Sequence, residues 1–199
     1  MILKIRQVGE SVLRQPSRPL TVEEIHSRYL GELIESMRET MRDAPGVGLA
    51  APQIGIPLQL AVIEDPPGAV QRLSPEEAAA RGRRPVPFHV VINPVLTIPE
   101  GTAVEFFEGC LSLTGYTAIV PRAARVHVDG LNERAEAVSI DAEGWYARIL
   151  QHEIDHLNGV LFIDRMNSRS FMTQENHLRF WKDKFIPEVK RALSLEEPG

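Results

Sequence analysis

The residues in this sequence that are best placed to do chemistry are two histidines, His152 and His156, with Glu153 directly after the first of them. On an α-helix of about 3.6 residues per turn, side chains four positions apart leave the same face one turn apart, as two ligands of one metal ion must. A carboxylate beside such a pair stands where a base for a metal-bound water belongs. The stretch from Gln151 to His156 therefore predicts a helical metal site rather than two core histidines.

The residues around this motif predict the helix itself. Ala147, Leu150, Ile154 and Leu157 recur at spacings of three to four positions, which is the period of one buried helix face. Asn158-Gly159 then predicts the end of the helix, because helices commonly stop at a residue in the left-handed conformation.

Two histidines do not complete a catalytic zinc or iron site, which needs a third protein ligand and an open position for water. A histidine six residues after His156 would supply one common pattern, but Phe162 stands there. Two candidates remain, namely Glu175 and the single cysteine of the chain, Cys110. A thiolate is a strong ligand for zinc and ferrous iron, and Cys110 follows a glycine in a predicted turn. The residues alone leave both candidates open.

The elements that must position these side chains are predicted from periodicity and turn residues. Thr21 and Glu24 form a capping box that begins an amphipathic helix ending before Pro45. Its predicted core face consists of Ile25, Tyr29, Leu33, Met37 and Met41. Strands are predicted at 58–64, 88–98, 103–107, 118–120, 124–128, 135–140 and 160–163.

Three further stretches complete this outline. Residues 65–87 form an insertion in which Ser74-Pro75 predicts a short helix. Residues 171–195 are predicted to be partly helical until Pro187 interrupts the helix, and to dock through Phe180, Trp181 and Phe185. The predicted fold class is α+β, with antiparallel sheets packed around a central metal-binding helix, an N-terminal amphipathic helix and a C-terminal helical segment.

The small residues between Gly46 and Gly55 partly match a dinucleotide-binding fingerprint, but their context excludes it. That fingerprint requires a strand before it and a helix after it, whereas here a helix precedes it and Pro52 and Pro57 oppose a following helix. Such a run is better explained by backbone that must closely approach another group, which makes Gln53, its one strongly polar side chain, a candidate functional residue.

Composition excludes several other functions. With 22 basic against 27 acidic residues the 199-residue chain carries a net charge of −5, which disfavours nucleic acid as a partner. No apolar run reaches the ~18 residues of a membrane span. The single cysteine excludes an intramolecular disulfide. The expectation is a soluble protein of the bacterial cytoplasm, or of mitochondria or plastids if a transit peptide has been removed.

Three blocks of this sequence together resemble the peptide deformylase family, in particular its type 1 bacterial and organellar members. The blocks are Gly46 to Gln53, Glu108 to Ser112 and Gln151 to His156, in the family's order and approximate spacing. The similarity extends from about Ile5 to Arg165, which predicts a catalytic domain at 1–170 and a tail of the same unit, partly helical, at 171–199.

The resemblance implies removal of the N-formyl group from formyl-methionine on nascent polypeptides, with release of formate. By position, Cys110, His152 and His156 resemble the metal ligands and Glu153 the catalytic carboxylate. Gln53 and the Leu111 backbone N–H correspond to the donors that stabilise the negative oxygen, and Glu108 to a residue that orients a histidine ligand. The positions implied to bind substrate are Val47, Gly48, Phe106, Gly109, Trp145 and Ile149.

The resemblance also implies the cofactor and the partners. The cofactor is one divalent metal ion, Fe²⁺ in the cell, with Zn²⁺ or Ni²⁺ possible after purification. The partners are formyl-methionyl peptides, with transient proximity to the ribosome. After Ser112 many bacterial members continue with valine- or isoleucine-proline and later an arginine that contacts substrate, whereas this chain has Leu113 to Thr117, which leaves its contacts beyond methionine undefined.

Two alternative functions follow from the same residues. One is a zincin-type metallopeptidase that uses Glu175 as the third ligand. The other is a non-catalytic, metal-stabilised module that binds N-terminal peptides.

Overall fold

A computed structural model describes residues 1–195 of the chain. Its helices are α1 (Val22–Ile25), α2 (Arg28–Asp43), α3 (Pro67–Val70), α4 (Pro75–Ala80), α5 (Gly144–Leu157), α6 (Gln174–Phe180) and α7 (Ile186–Ala192). Its strands are β1 (Gly48–Ala50), β2 (Leu60–Asp65), β3 (Val86–Thr97), β4 (Ala103–Cys110), β5 (Leu113–Ala123), β6 (Arg125–Leu131), β7 (Ala137–Glu143) and β8 (Met172–Thr173). Single 3₁₀ turns lie at Ser11–Arg14, Ala51–Ile54, Phe162–Asp164 and Ser168–Ser170.

The strands form two antiparallel sheets. One has the strand order β1-β2-β3-β6-β7 and the other the order β4-β5-β8. Helix α5 is buried from Ala147 to Leu157, and apolar residues of β2, β3, β6 and β7 pack against it. The α+β prediction, with a central helix between antiparallel sheets, is confirmed. In the described range no helix has both the length and the apolar character needed to cross a bilayer.

Glycines allow tight packing at both ends of α5. Gly144, at φ +62°, begins the helix so close to the 65–87 segment that a Cβ atom there would lie 2.7 Å from the Gly82 carbonyl oxygen. Gly159, at φ +73°, follows Asn158 and touches the backbone of Arg14. The predicted end of the helix at Asn158-Gly159 is therefore confirmed, and both ends of α5 are held by backbone contacts.

The predicted N-terminal helix is present but interrupted. The Thr21–Glu24 capping box starts α1, which ends at Ile25, and Ser27 then caps a new helix by accepting a hydrogen bond from Leu30 N at 3.2 Å. This restart changes the helical phase, so the prediction that Tyr29 faces the core is wrong, since Tyr29 is 60% exposed. The buried positions of α2 are Leu30, Leu33, Ile34, Met37, Thr40 and Met41.

Two predictions about the C-terminal third are also wrong. The segment 160–163 is not a strand, because the Asp164 carboxylate accepts a hydrogen bond from Leu161 N at 2.8 Å and closes a 3₁₀ turn. Pro187 does not end the helical segment but lies in the first turn of α7, where proline's missing N–H has no intrahelical partner to lose.

Of the three residues predicted to dock the C-terminal segment, only Trp181 is partly buried. Phe180 and Phe185 are 52% and 73% exposed, whereas Val189 is fully buried and the Lys190 ammonium donates to Glu105 at 2.6 Å. Residues 196–199 of the predicted tail lie outside the described residues. The helix predicted at Ser74 is confirmed as α4, with Ser74 and Glu77 forming a capping box.

Candidate metal centre and active site

The side chains of Cys110, His152 and His156 meet at the centre of the molecule. Cys110 Sγ lies 3.2 Å from His156 Nε2, which lies 3.2 Å from His152 Nε2. The three potential ligand atoms are all within 4.8 Å of one another. The histidines come from one face of α5, as their spacing predicts, and the cysteine comes from the end of β4, where the ladder to β5 shifts register between Glu108 and Cys110.

This donor set fits a divalent metal ion. Two nitrogens bound to one zinc at about 2.05 Å in tetrahedral geometry lie about 3.3 Å apart, close to the histidine separation here. One sulfur and two imidazole nitrogens is a combination that zinc and ferrous iron both accept. Glu175, the alternative third ligand, is exposed in the first turn of α6 and is not in the cluster.

Glu108 orients His152. His152 Nδ1 is 2.5 Å from Glu108 Oε1, so the ring donates its Nδ1–H to the carboxylate and turns the Nε2 lone pair toward the cluster. Burial alone would raise the pKa of Glu108, but the hydrogen bond to His152 and the charge of Arg122 outweigh it and lower that pKa overall. Burial lowers the pKa of His156 well below its usual value, so that imidazole is neutral, as a metal ligand must be.

A buried network of charges, which sequence reasoning missed, holds Glu108 in place. Arg122 donates to Glu108 at 2.7 and 3.2 Å and also pairs with Asp155, whose carboxylate accepts two bonds of 2.7 Å from Arg165. Arg148 donates to Glu108 at 2.8 Å and to the carbonyl of Val120 at 3.0 Å. Removing one partner of such a buried pair typically costs about 3–5 kcal/mol. The one signal in the sequence was Arg148, an arginine on the same predicted helix as the two histidines.

Glu153 is buried beside the cluster with one oxygen unused. It is 4% exposed, and among residues 1–195 its Oε2 has no hydrogen-bond partner. Burial raises the pKa of Glu153 to about 7, although the charge of His152 opposes the shift. A carboxyl group with a pKa near neutrality can both accept and donate a proton at physiological pH.

Gly48 lies directly against Glu153. A Cβ atom at Gly48 would stand 2.2 Å from Glu153 Oε1 and 2.6 Å from its carboxyl carbon. The prediction that the small residues of this stretch allow a close backbone approach is therefore supported at Gly48, where the group approached is the carboxylate.

Gln53 points its amide nitrogen at the cluster. Its Oε1 accepts a hydrogen bond from Ala50 N at 2.8 Å, which leaves Nε2 directed toward Ser112 Oγ at 3.2 Å and Cys110 Sγ at 3.6 Å. Leu111 follows Cys110 in the turn between β4 and β5, and its carbonyl accepts a bond from Gln7 Nε2 at 3.0 Å. Both predicted donors thus lie next to the cysteine.

Several of the residues predicted to bind substrate lie close to one another. The rings of Phe106 and Trp145 meet edge to face, with 6.3 Å between their centroids. Val47, Trp145 and Ile149 belong to one apolar cluster, and Gly109 is exposed in β4 just before the cysteine. A separate cavity of 1620 Å³, lined among others by Phe88, His127, Ile140 and Tyr146, contains none of the predicted site residues.

Comparison with known proteins agrees with this geometry. Residues 2–172 match the model of the polypeptide deformylase family. The chain is 48% identical over 172 residues to the chloroplastic peptide deformylase 1A of Solanum lycopersicum, covering 86% of this chain but 62% of that protein, which is less than two thirds of its length. It is 42% identical over 197 residues to peptide deformylase 3 of Streptomyces avermitilis, covering 98% of this chain and 85% of that protein.

A solved structure shows the same fold. The Met-Ala-Ser-bound class I type b peptide deformylase of Acinetobacter baumannii superposes with a TM-score of 0.74 at 32% identity, covering 83% of this chain and 99% of that one. The resemblance seen in the three sequence blocks is thus confirmed over most of the chain. The chain belongs to the polypeptide deformylase family, whose members are metal-dependent hydrolases that remove the formyl group from N-formylmethionine peptides.

Proposed function

We propose that this protein hydrolyses the N-formyl group of formyl-methionine at the start of nascent polypeptides, producing formate and a free amino terminus. The observation that supports this most directly is the convergence of Cys110, His152 and His156 beside the buried carboxyl group of Glu153. Three ligands, a free coordination position and an adjacent proton carrier are what metal-assisted amide hydrolysis requires.

In this proposal Cys110, His152 and His156 hold one divalent metal ion. When bound, the ion would supply Lewis acidity, which lowers the pKa of a coordinated water toward neutrality. We propose Fe²⁺ as the ion used in the cell and Zn²⁺ or Ni²⁺ as ions found after purification, because a thiolate and two imidazoles suit all three. Glu108 keeps His152 in the tautomer that can ligate.

Glu153 is proposed to carry the proton. Its unpaired oxygen and its raised pKa suit a group that accepts a proton from the attacking water and later donates it to the leaving amine nitrogen. Because the carboxyl group is 4% exposed, bulk water does not compete for that proton.

Gln53 and Leu111 are proposed to stabilise the negative charge that develops on the formyl oxygen. The Gln53 amide is held in place by its bond from Ala50 N, so its N–H groups need not reorganise during the reaction. The Leu111 backbone N–H, next to the metal ligand Cys110, is the second donor.

Val47, Phe106, Trp145 and Ile149 are proposed to line the pocket for the methionine side chain. Gly48 and Gly109 are proposed to present backbone to the peptide, because neither carries a side chain that would block an extended substrate. Nascent formyl-methionyl peptides are the proposed partners, with transient proximity to the ribosome. We propose residues 1–170 as the catalytic domain, 171–199 as a tail of the same unit, and the bacterial cytoplasm, or alternatively an organelle, as the compartment.

The proposal is tested by incubating the metal-loaded protein with formyl-Met-Ala-Ser and measuring formate and new amino termini. We expect the two products in equal amounts, and no reaction with the acetyl-Met-Ala-Ser control. Peptide binding without formate would favour the non-catalytic binding module, and cleavage of internal peptide bonds would favour the peptidase.

Gly48→Ala is expected to lower kcat by about 10²-fold or more while leaving the metal content unchanged. The added Cβ would overlap the Glu153 carboxylate, so the proton carrier must move away, and a positioned acid or base is worth ~10²–10⁴ in rate. Steady-state assays and metal analysis check this result.

Gly31→Ala is the matched control, because a Cβ at Gly31 meets nothing within 4 Å, and we expect unchanged kcat. Full activity in Gly48→Ala would show that the position of the carboxylate does not limit the rate.

A further inference from the structure

The segment between β2 and β3 is anchored to the start of the metal-binding helix. Arg83 donates to the buried carboxylate of Asp65 at 2.7 and 2.9 Å, which fixes the end of the segment. The carbonyl oxygens of Arg81 and Gly82 would lie 2.9 and 2.7 Å from a Cβ at Gly144, so both residues pack directly on the first residue of α5. These two contacts fix the position of the Arg81 backbone beside the start of α5.

From that position Arg81 reaches the aromatic wall of the proposed methionine pocket. Its guanidinium carbon lies 5.2 Å from the Trp145 ring centroid and 6.0 Å from that of Phe106. A cation at this distance is attracted to the ring faces, which holds the guanidinium on the wall. A peptide whose methionine side chain occupied the proposed pocket would therefore meet a cation on its wall.

Arg81 differs from the other two arginines at Trp145 in forming no hydrogen-bonded ion pair among residues 1–195. Arg83, 5.3 Å from the ring, pairs with Asp65, and Arg148, 5.9 Å from it, pairs with Glu108. In the part of the chain that the structure describes, Arg81 forms no ion pair and no side-chain hydrogen bond. Burial, followed by the charge of Arg83, lowers the pKa of Arg81, and the charge of Glu77 opposes this shift only in part.

The same wall contains a second donor without an acceptor. The Trp145 indole nitrogen is buried, and no acceptor for it exists among residues 1–195. Because that nitrogen is closed to solvent, the Arg81 guanidinium is the one of these two donors that a ligand can meet, and a guanidinium favours a ligand that carries negative charge.

We propose that Arg81 forms a subsite for a carboxylate of the substrate peptide, so that the protein prefers chains with an acidic group close to the formyl-methionine. The inference rests on the proposed deformylase function. A glutamate side chain after the methionine and the terminal carboxylate of a short peptide offer the same chemistry. The protein as a whole carries a net charge of −5, which would repel acidic peptides. A preference for them would therefore come from the local charge of Arg81 and not from the whole surface.

The test compares formyl-Met-Glu-Ser-amide, formyl-Met-Gln-Ser-amide and formyl-Met-Lys-Ser-amide, together with formyl-Met-Ala-Ser as free acid and as amide. The readout is the ratio of kcat/KM for each charged peptide to that of its neutral counterpart, so any general change in activity cancels. For the unmodified protein we expect Glu to exceed Gln by about fivefold and Lys to fall below Gln, with the ratios shrinking at high salt.

In Arg81→Gln the Glu/Gln ratio is expected to fall to about one. Arg84→Gln, which removes an exposed arginine of the same segment, is the matched control and should keep the ratio. A preference confined to the free acid over the amide would assign the subsite to the terminal carboxylate.

Equal rates for all the peptides, or a Glu preference that survives Arg81→Gln, would overturn the proposal. Failure of the proposed function is distinguishable, because the unmodified protein would then release no formate even from the neutral amides.

Discussion

Replacing Glu153 with alanine is expected to lower kcat by about 10³–10⁴-fold, the upper part of the range for a positioned general acid or base. Within residues 1–195 the other carboxylate beside His152 cannot substitute for it, because Glu108 is engaged by His152, Arg122 and Arg148. Steady-state formate release measures the effect, and metal analysis should show an ion content equal to that of the unmodified protein.

Two further variants make this result specific. Glu153→Gln keeps the shape and burial of the side chain but cannot exchange a proton, so it should lose activity almost as severely. Glu175→Ala removes an exposed carboxylate from α6 and should retain full activity. Substantial turnover in Glu153→Gln would reduce Glu153 to a packing role and contradict the mechanism.

Replacing Cys110 with serine is expected to weaken metal binding by more than 10²-fold and to abolish activity at ordinary metal concentrations. A hydroxyl is a poor substitute for a thiolate on zinc or ferrous iron, and loss of a direct ligand should exceed the ~10–100-fold cost of losing a ligand's hydrogen-bond partner. Metal content after anaerobic purification, followed by titration with Fe²⁺ and Zn²⁺, measures the change and identifies the resident ion.

The thermal midpoint provides an independent measurement. Because the metal binds the folded protein, a chelator should lower Tm of the unmodified protein and have little effect on Cys110→Ser. The peptidase alternative predicts instead that Glu175→Ala loses the metal and that Cys110→Ser retains it. That outcome would remove Cys110 from the site.

Local patterns in the sequence were sufficient for the metal-binding helix. The spacing of His152 and His156, the apolar period around them and Asn158-Gly159 all act within a few turns of one helix, so the sequence states them directly. The capping boxes at Thr21 and Ser74 were predictable for the same reason. Where two local signals compete, as at Ser27 after α1, the prediction placed Tyr29 on the wrong face, because a new cap restarted the helical phase.

Only the tertiary structure showed, by geometry, that Cys110 and not Glu175 lies beside the two histidines. The choice depends on β4 delivering its last residue to the face of α5, and no periodicity encodes a contact between elements so far apart in the chain. The Arg122 and Arg148 network and the placement of Arg81 on Trp145 were hidden for the same reason. The sequence by itself determined the helix, its two histidines and the neighbouring carboxylate, because those are short-range properties. The folded chain was needed to locate Cys110 beside the histidines, to find the charges that orient His152 and to place Arg81 on Trp145. Buried charges acquire their partners only when distant segments pack together.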